Sequence, residues 1–433
     1  MTRFVPAVDS APIRPSQRRP KDRRARIARA AAEVFTEHGY HAASMKSIAA
    51  KVGISGPALY RHYPSKYDMF AASVFELSRH LVDCTDFADA VSDSELTADP
   101  DAVLSRVIDA LVEETLANRE SGGLYRWQAR YLNPEDLATL LRQLRVVNRR
   151  IQRPLSMVRP SLASPQRSLE RWILSSGLLS VIGSIVDHRT QLPADQMRAL
   201  LADAVSAMLA TRLPEPGDEI AVYAPARQTP SPDADPREVL LDTAMVLFGD
   251  HGYSETTMMQ IAEGSGVPVS GIYRYFPGKY EILAAGLRRG LERLTGELSA
   301  AADTPGDPPQ VLNRVIETFV TDSHVNPELA LVYYTERVNL EPADEAYLRN
   351  VLRNALEYCA PPLISVRPGL SARQARVLMY GAMALALDLG WLVGYDRFIR
   401  KPKPIDNPAY LRACVRKLID CTLLGSALDQ RMW

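Results

Sequence analysis

The sequence is short of several things, and each shortage excludes a class of function. Cysteine occurs four times in 433 residues, as Cys84, Cys359, Cys414 and Cys421. None stands in a C-x-x-C pair and no histidine cluster lies near, which argues against a structural zinc site or disulfide framework and for reduced thiols. Net charge is zero, with 51 basic and 51 acidic residues, so an electrostatic partner must be sought in how charge is distributed. The first two dozen residues are basic and proline-rich and lack the apolar stretch of a secretory leader, so a cytoplasmic, nucleoid-associated protein is expected. Long apolar runs are also scarce. The one candidate, Val377 to Gly394, carries Asp388 and is rich in Gly and Ala, which suits a buried interface helix better than a membrane span. Catalytic signatures are missing too. There is no H-x-E with C-x-x-C, no G-x-S-x-G and no phosphate loop, so no catalytic residue, metal or cofactor is expected.

What is present is a duplication. The phrase "ISGPALYRHYPSKYDMF" (Ile54 to Phe70) returns as "VPVSGIYRYFPGKYEIL" (Val267 to Leu283), 213 positions later. The match extends upstream without a gap: Phe35, His38, Gly39, Tyr40, Met45, Ile48 and Gly53 recur as Phe248, His251, Gly252, Tyr253, Met258, Ile261 and Gly266. About a third of some fifty positions agree, which chance does not produce in an ungapped block. A weaker match pairs Leu132 to Arg145 with Leu340 to Arg353, including Asp136 with Asp344. The chain is a tandem repeat of a two-part unit, joined by the proline-rich, acidic segment Leu213 to Glu238.

Strand alternation is absent, and the periodicity is helical. Ile27, Ala31, Val34 and Phe35 recur at threes and fours, and glycines follow periodic runs where helix ends want them. The first unit reads as a long helix to His38, a cap at Ser44, a short helix, a turn at Gly53 and a second short helix opened by Ser55 with Pro57 in its first turn. That is a helix-turn-helix. Leu59 packs inward, Ala58, Arg61 and His62 face out, and Ser65 with Asp68 caps the next helix.

"SMKSIAAKVGISGPALYRHYPSKYDMF" resembles the DNA-binding signature of the TetR family of bacterial regulators, and "TMMQIAEGSGVPVSGIYRYFPGKYEIL" resembles it a second time. The layout is similar to the two-module TetR-type regulators of actinobacteria, some of which control lipid-import operons. The resemblance implies an all-α fold of two tandem units, each a helix-turn-helix domain plus a larger helical ligand-binding and dimerisation domain, arranged as an intrachain pseudo-dimer. The expected layout is a basic arm at 1–20, a first reader at 21–72, a first helical domain at 73–212, a linker at 213–235, a second reader at 236–287 and a second helical domain at 288–433. The chain acts as a monomeric pseudo-dimer, or as a homodimer. Its partners are a double-stranded DNA operator and a hydrophobic small-molecule effector such as a lipid, acyl-thioester or sterol metabolite, with no membrane. The regulator is expected to be a repressor released by its effector. The rival reading is a DNA-tethered adaptor or architectural protein whose second module binds protein.

Carried over residue by residue, the family pattern makes Ser55 to His62 the major-groove helix. Ser55, Gly56, Pro57, Ala58 and Arg61 are candidates for base contacts. Ser44, Tyr60, His62, Tyr63 and Lys66 are phosphate contacts or their supports. Met45, Lys46 and the arm residues Arg18, Arg19, Lys21, Arg23 and Arg24 complete the first DNA surface. Thr257, Ser270, Arg274, Tyr275 and Lys279 are the second. The two surfaces differ in charge: Ala11 to Tyr67 carries about +9, whereas Ala224 to Tyr280 carries about −3. The first reader is therefore expected to supply most of the DNA affinity. Candidate pocket residues are Trp127, Tyr131 and Trp172 in the first half, and Tyr333, Tyr334, Met379, Met383 and Trp391 in the second.

Overall fold

The computed structural model describes residues 20–215, 235–394 and 408–430, with side chains at 23–215, 235–389 and 409–428. Among them no strand occurs, and the main helices fall into two sets of nine that follow the sequence repeat. The first set is α1 (Pro20–Ala42), α2 (Met45–Val52), α3 (Gly56–Tyr60), α4 (Lys66–Cys84), α5 (Pro100–Ala117), α6 (Gly123–Trp127), α7 (Pro134–Val158), α8 (Ser168–Gly183) and α9 (Ala194–Ala210). The second is α10 (Pro236–His251), α11 (Met258–Ser265), α12 (Val269–Ile272), α13 (Lys279–Asp303), α14 (Pro308–Val325), α15 (Pro327–Glu336), α16 (Pro342–Val366), α17 (Ala372–Gly394) and α18 (Pro408–Leu424). Two short helices, Phe87–Ala90 and Asp93–Ala98, bridge α4 and α5.

The predicted apolar stripe of α1 is buried: Ile27, Ala31, Val34 and Phe35 are all within 2% of full burial. The helix breaks at Gly39, whose φ of 74° an L side chain rarely adopts. The chain there also lies against the other half, since a Cβ on Gly39 would sit 2.7 Å from the Val338 side chain. In the first reader the apolar core of Ile27, Phe35, Ile48, Leu59 and Phe70 runs on to Leu124, Leu132 and Leu140 of the first half and stays separate from the main core. The second reader's core, around Phe248 and Ile272, runs continuously into the rest of the protein.

Behind each reader, three helices form a body: α4, α5 and α7 in the first half, α13, α14 and α16 in the second. The halves join through their last two helices, α8 lying on α17 and α9 on α18. Small residues permit the close approach. A Cβ on Gly177 would meet Leu418, Met208 and Leu385 at 3.0–3.2 Å, so alanine there has to displace three side chains in a close-packed core. The stretch Pro165–Val186 is long and apolar enough to cross a membrane, yet two-thirds of its apolar window is buried inside the protein. The run singled out in the sequence also lies inside: Val377, Leu378, Leu385 and Leu389 are at most 1% exposed. The four-helix seam is thus intrachain, and the two halves sit as a pseudo-dimer.

Candidate nucleic-acid interface

The first reader is built by local caps. Ser44 Oγ accepts from Ser47 N–H at 3.0 Å while Ser47 Oγ accepts from Ser44 N–H at 3.2 Å, fixing the start of α2. Gly53, at φ 74° and ψ 37°, makes the left-handed turn into α3. Ser55 Oγ then accepts from Ala58 N–H at 3.4 Å, with Pro57 in the first turn. Leu59 is fully buried, and that anchors α3 with Ser55, Pro57, Tyr60 and Arg61 on its exposed side and Gly56, Ala58 and His62 half-buried. Lys46 and Ser44 are exposed beside it, with Met45 half-buried. Arg23, Arg26, Lys46 and Arg61 are exposed and make no ion pair among the described residues. Free guanidinium and ammonium groups around a presented short helix are what phosphate binding requires. Arg18 and Arg19 lie outside the described residues, as does the side chain of Lys21.

Three of the expected DNA contacts turn inward. Lys66 Nζ donates to the carbonyl oxygens of Tyr40, His41 and Ala43 at 2.9, 3.0 and 3.2 Å, and lies 4.8 Å from the Tyr40 ring centre. An ammonium has three protons, and all are used. Lys279 repeats the arrangement on Tyr253, Ser254 and Thr256 at 2.6, 3.3 and 2.8 Å. Burial lowers the pKa of both ammonium groups. The carbonyls so bound follow the end of each reader's first helix, where backbone acceptors lack intrahelical partners and a cation is favoured. Tyr63 is 2% exposed. Its hydroxyl donates to the Arg24 carbonyl at 3.2 Å, and the Arg24 guanidinium lies 4.9 Å from its ring centre. Phe276 takes the same place under Arg237, so the ring is a core group and the hydroxyl an addition.

A pair of residues that sequence reasoning aligned but did not connect joins each reader to its body. Tyr67 Oη donates to Asp136 at 2.5 Å and accepts from Asn133 N–H at 2.9 Å. Tyr280 does the same with Asp344 at 2.5 Å and Glu341 N–H at 3.1 Å. Burial and the neighbouring carboxylate push the Tyr67 hydroxyl up to about 12. The clue in the sequence was that Tyr67 and Asp136 lie in two separate repeated blocks and are duplicated together.

The second reader keeps this frame with a different face. Thr257 and Gln260 form its capping box, but Pro268 leaves α12 without a side-chain cap. Thr257, Ser270 and Arg274 are exposed, and Arg274 makes no ion pair among the described residues. Tyr273, Tyr275 and Met259 are 54%, 39% and 70% exposed, Met259 standing where the first reader has Lys46. The acidic excess is partly internal. Arg289 of α13, beyond Tyr280, binds Glu238 at 2.6 Å and Asp242 at 2.5 Å. The contrast between the two surfaces is therefore smaller than a residue count suggests, though its sign stands.

Of the residues expected to line pockets, Trp127 and Tyr334 meet at the contact between halves, and the others whose side chains are described pack against neighbouring rings or into the core. The Trp127 ring stacks on Tyr334 at 4.5 Å, its Nε1–H donating to Asp187 at 2.7 Å. Tyr131 stacks on Tyr40 at 5.4 Å, and Tyr333 packs edge-on to Tyr334. Met379 is buried, Trp172 and Met383 are half-buried in the same core, and the side chain of Trp391 lies outside the described residues. Around them runs a polar network across the halves. Arg130 donates to Glu336 at 2.8 Å and to the Gly249 carbonyl of α10 at 2.6 Å, and Arg126 pairs with Asp187 and Asp388 at 3.4 and 3.1 Å. His188, stacked on Tyr380, is held neutral well below the usual histidine range by burial and by Arg119. Each reader's first helix is thus touched by the opposite half: α1 by Val338, α10 by Arg130. A cavity of about 540 Å³ lies elsewhere, in the first body, and none of the expected aromatic residues lines it.

Comparison with known proteins agrees with the duplicated architecture. The model of the bacterial regulatory proteins of the tetR family matches twice, over residues 27–73 and 240–285. The chain is 45% identical over 174 residues to the transcriptional activator FasR of Mycolicibacterium smegmatis, a match covering 40% of this chain and 78% of that protein. It is 33% identical over 93 residues to the transcriptional repressor KstR of the same organism, covering 22% of this chain and 46% of KstR. Among solved structures, PfmR of Thermus thermophilus is similar at a TM-score of 0.36 and 22% identity, covering 42% of this chain and 96% of its own. Two readers with one internal frame, each repeating the family's signature, make this chain a tandem member of the TetR family of transcriptional regulators.

Proposed function

We propose that the protein is a repressor that binds an asymmetric operator as a single chain, its first reader supplying most of the affinity, and that a hydrophobic small-molecule effector releases it. The observation that carries this reading is the set of exposed cations Arg23, Arg26, Lys46 and Arg61 on the first reader, none in an ion pair among the described residues, against a second reader that offers Arg274 with the exposed Met259, Tyr273 and Tyr275. Phosphate neutralisation supplies most sequence-independent affinity. A reader with more free cations therefore contributes more, while base contacts from Ser55, Pro57 and Arg61 set the sequence. The relatives include an activator and a repressor, so the sign is the part of the proposal that a promoter assay decides.

Selection of genomic fragments by the purified chain, followed by footprinting, tests the core of the reading. The expected footprint covers two adjacent major grooves about one helical turn apart, with stronger protection on the side of the first reader. Equal protection of two identical half-sites overturns the asymmetry. Transcription from the selected promoter falls on adding the protein if it represses, and rises if that sign is wrong. The exposed apolar face of the second reader favours one alternative, a protein-docking module. Loss of the second half of the footprint with only a few-fold loss of affinity on Arg274→Ala/Tyr273→Ala supports the DNA role, and an unchanged footprint supports docking.

A further inference from the structure

We infer that the cavity in the first body binds an organic phosphate carrying an apolar group, an inference that rests on the effector-controlled reading above and gives that effector a charged headgroup. The cavity opens between the short helices after α4 and the helices α5 and α7. Four arginines line it, Arg149, Arg150, Arg153 and Arg171, against a single carboxylate, Asp89. Their partners separate them. Arg150 is 7% exposed and spent on Asp89 at 2.5 Å and on Thr85 at 2.9 Å, so this pair is internally neutral. Arg171 donates to backbone carbonyls of Leu162 and Ser164, which leave its charge uncancelled. Arg153 reaches Asp93, whose side chain is 97% exposed. Arg149 is exposed and, among the described residues, makes no hydrogen bond or close ion pair, its charge acting on Asp89 only at longer range.

The rim is therefore cationic, and Arg149 is free to bind. More than one uncompensated guanidinium calls for a ligand with more than one negative charge. Phosphate meets that condition better than a carboxylate, and guanidinium matches its geometry with two parallel hydrogen bonds. Beside Gln152 and Ser156, the remaining wall carries an apolar stretch from Leu96, Val103 and Val146, so the ligand carries a hydrophobic group, and the volume suits a small molecule. The second body does not repeat the rim. Continuing the repeat along α16, the positions of Arg149, Arg150 and Arg153 hold Glu357, Tyr358 and Pro361, and Glu357 is paired with Arg376 at 3.4 Å. The site belongs to the first half alone.

The same helix carries the consequence to DNA. α7 is a continuous helix of 25 residues. Its first turn holds the reader through Asp136 and Asn133 on Tyr67, and its second half lines the cavity about 20 Å away, at 1.5 Å per residue. Gln152, also on the wall, donates to Ser175 of α8 at 2.8 Å, and α8 is one of the helices that join the halves. A ligand that moves α7 moves the first reader relative to the second.

Calorimetric titration of the full chain without DNA tests the site. The probes are palmitoyl-coenzyme A and a lysophosphatidic acid, which present phosphate on a thioester carrier or as a lipid headgroup, with palmitate and inorganic phosphate as controls. One or both organic phosphates should bind at least about tenfold more tightly than either control, and the tighter of the two identifies the source. Arg149→Glu/Arg153→Glu should weaken that binding by about tenfold or more, as expected for losing charge-assisted hydrogen bonds. Arg349→Glu/Arg353→Glu, the same charge change on α16, should alter it less than about twofold. Arg149→Ala, which breaks no internal contact, should weaken it in the same direction. Binding that is equal for palmitate and the phosphates, or untouched by the Arg149 variants, overturns the site. Arginine-dependent binding that leaves operator affinity unchanged upholds the site and overturns its role as the effector pocket.

Discussion

The two readers share an interior and differ in what they present. Lys66 and Lys279 each close the end of a first helix with three hydrogen bonds, and Tyr67 and Tyr280 each tie a reader to its body through an aspartate and a backbone N–H. On the surface, Lys46 is replaced by Met259, Gly56 by Val269 and His62 by Tyr275, and the basic residues of α1 have few counterparts on α10. Most of the residues kept in both copies are therefore those the fold needs, with Tyr60 and Arg61 kept on the exposed face as Tyr273 and Arg274. Those that differ lie mainly on the surface that the proposed reading turns to DNA. A lysine repeated in a DNA-binding signature invites a phosphate role, and here it is structural in both copies.

If the frame is common, breaking it should cost the same twice. Lys66→Met leaves three backbone carbonyls without their donor, and should lower unfolding free energy by about 2–3 kcal/mol, the scale of hydrogen bonds to a charged group. Lys279→Met should match it. Urea unfolding of the two variants measures this, and a large loss in one copy only breaks the equivalence. Tyr67→Phe and Tyr280→Phe each remove a hydroxyl that serves as both donor and acceptor, for a loss of about 1–2 kcal/mol. Because Asp136 and Asp344 are near the surface, these losses should be the smaller ones. Amide exchange in α4 and α7, compared with α13 and α16, should rise in parallel.

Much of this was legible in the sequence, and the limits have a physical cause. The all-α fold, the duplication, the caps at Ser44 and Ser55, the inward Leu59 and the turn glycines at 39 and 53 follow from local rules, so short-range pattern sufficed. The seam was legible as apolar helices that needed a partner. The roles of Lys66 and Tyr67 were not, because their partners lie 23 to 69 residues away and the side chains point back into the protein. Trp127 and Tyr334 are an interface stack for a similar reason: the contact joins residues in different halves, which no periodicity reports. The arginine-lined cavity is not legible in the sequence because Arg149, Arg150 and Arg153 meet the short helices after α4 only across some 61 residues of chain.

The smallest predicted effect restores one difference at a time. Met259→Lys places on the second reader the cation that Lys46 gives the first, at a side chain that is 70% exposed and free to accept it. DNA affinity should rise by about two- to fivefold at low salt, with the slope of log K against log salt steepening by up to about 0.9 for one added phosphate contact. An unchanged slope means that this face does not meet DNA.

The most direct test is the salt dependence of operator binding for Lys46→Ala/Arg61→Ala beside Met259→Ala/Arg274→Ala, four positions that are exposed and outside the internal frame. The account predicts that the first pair lowers affinity by about thirtyfold or more and flattens the slope by about 1–2, while the second costs only a few-fold and flattens it by less than about 1. Equal losses in affinity and slope from the two pairs would contradict it.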